Sequence, residues 1–387
     1  PHCRTADGLA LRPQERPRRS GAHRRATGLP RRAVRFDARC MTPSPDPTAL
    51  ALTSPDALVA ALPYLVGFPP YESGVILWLR GRRLLLTQRL DLPPQGDDMG
   101  AWLDAAWGHL AAQEADEIVI AVVSGRADVT RLAAALADVA SVRGVDVRDQ
   151  LVLHEGRWRS LLCTDEQCCP SEGRTIDEQV AAHVAAEFTG AGLSPVAARE
   201  RLVAEPEQDR GRSALVAECA AARPRRQGPA HEQARDEAID AFLAALDAGS
   251  DGRGAGDPSL EEVTALLAGL DDVRVRDTVL WEVSHAGPDR QLRALRQFVS
   301  ATRQAPPGLV APVATCAAVA SWLVGDGARA QVALDRALRD RPDYSLALLV
   351  QHSVRIGLPP RAWREAMHGL TREQCRHGGT GERARAS

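Results

Sequence analysis

The stretch "LLCTDEQCCPSEGR" (Leu161–Arg174) sets Cys163, Cys168 and Cys169, three of the chain's eight cysteines, within seven residues. Thiols this close together can hold a soft metal ion, exchange with a disulfide or supply a nucleophile. Structural zinc usually takes four ligands from paired cysteine or histidine knuckles, and here the thiol count stops at three. His154, Glu172 and His183 are the nearest further ligands in sequence. Pro170 biases Cys169 toward extended backbone, on which adjacent side chains diverge. A lowered thiol pKa needs a cation or a helix N-terminus, and Arg174 with a helix capped at Thr175 would supply both. The stretch is expected to be a turn of reduced thiols that binds no metal. A reactive or metal-binding role for Cys163, Cys168 and Cys169 is the alternative. No cofactor is expected.

Other chemistry-bearing residues are scattered. "PYLVGFPPYESG" (Pro63–Gly74) offers Tyr64, Gly67, Phe68, Glu72 and Ser73 as a candidate ligand or partner loop. Asp91 ends a predicted strand, where sites in α/β sheets gather. Arg126 and the amides of "SGR" follow another strand and precede a helix, a place suited to an anion. No G-x-S-x-G elbow, metalloprotease motif or glycine fingerprint is present, so Ser73 is not read as a nucleophile and no catalytic residue is assigned. There is no Lys anywhere; all 48 basic residues are Arg, which excludes P-loop and Schiff-base lysine chemistry.

The elements that position these residues follow from periodicity. Ser54-Pro55 starts a helix carrying Leu58, Val59, Leu62 and Leu65. "GVILWLR" and "LLLTQRLDL" read as strands joined at Arg80–Arg82. Asp97–Gln113 is helical by spacing, "EIVIAVV" is a strand covered on both faces, Asp128–Val142 returns to helix, and "VDVRDQLVLHEGRWRSLLC" gives two strands turning at Glu155-Gly156. Interleaved helices and strands predict a mixed-sheet α/β domain over 51–175. Residues 176–258 are expected to be helices with a flexible linker, loosest at 207–232. Ser259–Glu262 is a capping box, and 259–370 reads as all-α. Around Gly325, "GDGARAQVALDRALRDRP" places Ala330, Leu334 and Ala337 on one face between a turn glycine and a closing proline. Weaker copies start at Gly287 (Ala294, Phe298) and at Gly357 (Ala362, Ala366), as in tetratricopeptide-like helical hairpins. Residues 371–387 are expected to be a disordered tail.

Composition bounds the rest. The chain has 387 residues, 44% hydrophobic and 25% charged, the balance of a globular protein. Eleven Arg against Asp7, Glu15 and Asp37 give residues 1–40 a net +8, so the remainder carries −10. The basic head, residues 1–50, lacks apolar period and is expected to be disordered, with translation starting at Met41. An acidic body argues against nucleic acid, and the absence of a long apolar run argues against a membrane. A cytoplasmic protein with a protein partner is expected.

Together, "SPDALVAALPYLVGFPPYESGVILWLRG", "RLDLP", "RWRSLLCTDEQCCPSEG" and "VASWLVGDGARAQVALDRALRDRPDYSLALLV" resemble an actinobacterial family known as a domain of unknown function, number four-one-nine-two. The resemblance spans about Ser54 to Trp363, and Tyr71 and Gly74 depart from the pattern. It implies a bacterial cytoplasmic protein and carries no activity or catalytic residue with it. The expected function is a non-catalytic interaction or regulatory protein with a helical-repeat region that holds a partner. The alternative is a small-molecule-binding protein or enzyme using the Gly67–Ser73 loop, Asp91 or the cysteine stretch.

Overall fold

The computed structural model describes residues 34–36, 50–52, 54–81, 83–95, 99–108, 115–191, 193–223, 227–248 and 258–378. The expected basic head and the Met41 start lie outside these residues, apart from two short strands, β1 (Val34–Phe36) and β2 (Leu50–Leu52). There follow α1 (Pro55–Val66), β3 (Ser73–Arg80), β4 (Arg83–Asp91), α2 (Met99–Trp107), β5 (Glu117–Val123), α3 (Val129–Val142), β6 (Asp146–His154) and β7 (Arg157–Ser160). One mixed sheet runs in the order β2-β1-β4-β3-β5-β6-β7, with β5 and β6 parallel around α3 and hairpins on either side.

Strand alternation builds two cores. Val75, Leu77 and Leu79 of β3 and Val119 and Ala121 of β5 point to one face, under α1. Ile76 and Trp78, with Ile118, Ile120 and Val122, point to the other, under α2 and α3. Both faces are covered, so β3 and β5 read as unbroken apolar runs. Local signals end the elements: Ser54 Oγ accepts the Ala57 amide at 3.1 Å, and Glu155 and Gly156 turn β6 into β7 at φ 48° and 75°.

The rest is helical: α4 (Glu178–Gly190), α5 (Arg199–Ala204), α6 (Arg210–Ala222), α7 (Pro229–Ala248), α8 (Leu260–Leu270), α9 (Val273–His285), α10 (Pro288–Gln304), α11 (Val310–Leu323), α12 (Gly327–Asp340), α13 (Ser345–Arg355), α14 (Pro360–His368) and α15 (Arg372–His377). Every residue of α11 is buried, so it forms the axis of this lobe. Gly325, at φ 88°, turns α11 into α12, and Asp326 caps α12 by accepting the Arg329 amide at 2.9 Å. Ala330, Leu334 and Ala337 face the core as the spacing predicts. Ala328 and Val332 of the same helix pack on the sheet lobe instead, and so join the two lobes.

Four expectations change. The helix after the cysteine stretch is capped by Asp177, not Thr175: its carboxylate accepts the amides of Gln179 and Val180. The supposed linker contains α6, because Asp209 caps it at the Arg212 amide and Val216 is buried. The copy after Gly357 has another register, with Arg364 and Met367 buried and Ala366 exposed. The expected tail opens with α15, capped by Thr371 and burying Cys375.

Candidate functional site

Three places gather the candidate residues. The first is the sheet rim where β3 and α3 begin and β4 and β5 end. Glu72 has φ 43°, a left-handed backbone that costs a non-glycine residue about 1–2 kcal/mol. Its side chain holds it there: Ser124 Oγ donates to both carboxylate oxygens at 2.9 Å, and the Gly125 amide donates at 3.0 Å. Of the amides expected to take an anion, that of Gly125 therefore takes a carboxylate of its own chain, while the Ser124 amide donates to the Leu153 carbonyl and the Arg126 amide to Ser124 Oγ, both at 3.0 Å. Arg126 is engaged as well, by Asp128 at 2.9 and 2.8 Å and by the Pro93 carbonyl at 2.6 Å. Hydrogen bonding from Arg126 holds the Asp128 carboxyl below its usual range. The Ser73 hydroxyl donates to the Tyr71 carbonyl at 2.7 Å and accepts from Arg89 at 2.9 Å, while Arg89 reaches Asp91 at 2.6 Å and lies over the Phe68 ring. These bonds fix the rim. Beside it, Tyr71, Ser124, Leu153 and Trp158 border a cavity of about 420 Å³.

The Glu72 contacts make a quantitative expectation. Glu72→Ala removes the acceptor for Ser124 and Gly125 and should lower stability by roughly 1–3 kcal/mol. Glu72→Gly loses the same bonds but relieves the backbone, so it should be the milder change by about 1 kcal/mol. Urea melts of the two variants check the order; the reverse order would remove the strain argument.

The second place is the cysteine stretch, and here the geometry differs from the sequence expectation. The Asp165 carbonyl accepts the amides of Cys168 at 3.1 Å and Cys169 at 2.8 Å, so the pair sits on a helical turn rather than an extended chain. The three sulfurs converge, all within 4.8 Å of one another. Cys169 is buried and Cys163 and Cys168 are half-buried. Burial pushes the Cys169 thiol pKa up, which does not favour an activated nucleophile. Arg174 turns to Asp56 at 3.3 Å and to the Cys168 carbonyl at 3.4 Å. His183 is exposed beside Glu187, and His154 Nδ1 lies 3.0 Å from the Ser124 carbonyl; neither belongs to the cluster.

The third place is a cleft of about 1060 Å³ between the sheet and the helical lobe. Gly67 and Phe68 stand at one end of it, with Tyr64, whose ring centroid lies 5.0 Å from that of Phe188. Gly67 must be glycine: it ends α1 at φ 89°, and its carbonyl accepts the Val196 amide at 2.9 Å. Leu84 through Arg89 line the cleft consecutively, so β4 presents its edge there and not one face. Beyond the single Arg35–Arg83 pairing with β1, that edge has no strand partner among the described residues. Arg199, Arg296, Arg303 and Arg355 also line the cleft, all exposed and none paired with a carboxylate among the described residues. Most lining carboxylates are engaged: Arg329 holds Glu205 at 2.6 Å and Asp326 at 2.5 Å, Asp209 caps α6, and Asp335 takes Gln331 at 2.8 Å; Asp289 is exposed. None of the four arginines was singled out by the sequence, because they are scattered over more than a hundred residues.

A mixed α/β sheet lobe followed by a helical lobe, joined along this cleft, defines the class of architecture. A family model described as "Domain of unknown function (DUF4192)" matches residues 55–361, and the chain belongs to that family. No curated protein and no solved structure matches it. No helix among the described residues is long and apolar enough to cross a membrane.

Proposed function

We propose that the chain is a non-catalytic interaction protein that holds an acidic, extended segment of a protein partner in the cleft between its lobes. One observation carries the reading: four guanidinium groups with no carboxylate partner among the described residues line the same cleft as a strand edge that, beyond the Arg35–Arg83 pairing, has no strand partner among those residues. An unpaired edge offers backbone donors and acceptors in register for an added strand. Arginines lining the same cleft select carboxylates and speed their approach. The rim residues Glu72, Ser73 and Arg126 are engaged with neighbours, which favours a structural task for them. Cytoplasmic placement fits the absence of a disulfide among the described cysteines, Cys163, Cys168, Cys169, Cys219, Cys316 and Cys375. Arg in place of every Lys fits a GC-rich, actinobacterial source.

A short fluorescein-labelled peptide of alternating Glu and Val, titrated with the full chain, tests this. Anisotropy should report binding that weakens steeply as salt is raised. A Lys/Val peptide binding equally well, or a single-stranded DNA oligomer displacing the acidic peptide and binding more tightly, would reject the assignment.

A further inference from the structure

We propose that Cys163, Cys168 and Cys169 form a three-thiolate site for a soft d10 cation such as zinc, with its remaining position open to solvent or to an external ligand. The backbone builds the site. Asp165 accepts the Gln167 amide through its side chain at 2.9 Å and the Cys168 and Cys169 amides through its carbonyl, which turns the chain tightly enough to bring both sulfurs toward Cys163. A second turn, Pro170 carbonyl to Gly173 amide at 2.9 Å, returns the chain to β7, where Trp158 and Arg174 exchange backbone hydrogen bonds at 2.8 and 2.9 Å. Gly173 permits this return: it has φ 75°, and a Cβ there would lie 3.1 Å from the Trp158 carbonyl. The loop is thereby fixed on the sheet with its thiols gathered.

A tetrahedral zinc ion with bonds of about 2.3 Å sets its sulfurs roughly 3.8 Å apart. Sulfurs already within 4.8 Å of one another reach that spacing by side-chain adjustment alone. A donor set of three thiolates, the one the described residues gather here, favours a soft or borderline cation over magnesium or calcium. Three protein ligands and one open position are also the donor count of zinc sites that exchange a ligand, whereas purely structural zinc takes four. On binding, three S–H bonds give way to three sulfur–metal bonds, and three protons leave to water. No change of oxidation state is involved. Cys163 and Cys168 are half-buried, so the site can be reached from solvent, and Cys169 is buried.

The full chain is kept reduced, loaded with zinc, freed of excess metal and analysed by native mass spectrometry. About one zinc per chain is expected. Peptide-resolved alkylation should then show Cys163, Cys168 and Cys169 slowed at least tenfold by the metal, with Cys219 unchanged. Cys163→Ser, which keeps the buried anchor, should lose the zinc while circular dichroism stays the same; Cys219→Ser should keep it. If the variant fails to fold, the wild-type mass and alkylation pattern still decide. A folded, reduced wild-type chain that retains no zinc, or zinc that protects none of the three thiols, overturns the proposal. So does a Cys163–Cys169 disulfide formed under mild oxidation in a chain that takes up no metal.

Discussion

Leu334→Asp should unfold the helical lobe, lowering stability by about 4 kcal/mol or more. Leu334 is fully buried on α12 against α11, between Ala330 and Ala337, in a stripe of small residues that lets the two helices approach closely. Truncating a buried leucine already costs about 2–5 kcal/mol, and the aspartate adds a carboxylate without a partner. Against a typical total of about 5–15 kcal/mol, the loss leaves the lobe marginal. Arg339→Gln on the same helix is the matched control. It removes only a half-exposed pair with Glu207 and should cost about 0–1 kcal/mol. Arg336, the surface residue by helical phase, is a poorer control. It is partly buried, its Nε has no acceptor, and burial followed by the nearby Arg339 pushes its pKa down. Equal melting temperatures for Leu334→Asp and Arg339→Gln would reject this packing.

Reversing charge in the cleft should affect binding without affecting the fold. Arg296 and Arg303 lie two turns apart on the exposed side of α10, while Ala294, Phe298 and Ala301 of the same helix fill the core. Neither guanidinium holds a carboxylate among the described residues, so Arg296→Glu/Arg303→Glu should leave the melting temperature within a few degrees. Affinity for the Glu/Val peptide should fall roughly a hundredfold or more, since two attractions become two repulsions, each worth about 1 kcal/mol or more in a partly desolvated cleft. The salt dependence should fall with it. Unchanged affinity in a folded variant would take the arginines out of the account.

Much of the architecture is legible in the sequence because it is written in single elements. The apolar runs of β3 and β5, the Glu155-Gly156 turn and the Gly325 turn each declare themselves within a few residues. What is lost are features decided by a hydrogen bond or by distance. Thr175 and Asp177 are both good caps, and only the fold shows which carboxylate or hydroxyl meets the amides. Composition made 207–232 look loose, yet Asp209 and a buried Val216 suffice for α6. Pro170 argued for diverging thiols, but the Asp165 carbonyl gathers the Cys168 and Cys169 amides into one turn, and the sulfurs converge. Glu72 and the amides of Ser124–Arg126 were each singled out, but not their pairing, because Ser124 and Gly125 lie some fifty residues from Glu72. The cleft is the extreme case: its arginines belong to α5, α10 and α13, and each taken alone is an ordinary surface residue.

The most direct measurement is hydrogen exchange of the full chain with and without the Glu/Val peptide. An added strand must protect alternate amides of Leu84–Arg89, whose edge has no strand partner among the described residues. The account predicts fast exchange there in the free chain, slowing markedly on peptide binding, with lesser protection along α10 and no change around Cys163–Cys169. Amides of 84–89 already fully protected in the free chain, or protection that appears only elsewhere on binding, would contradict it.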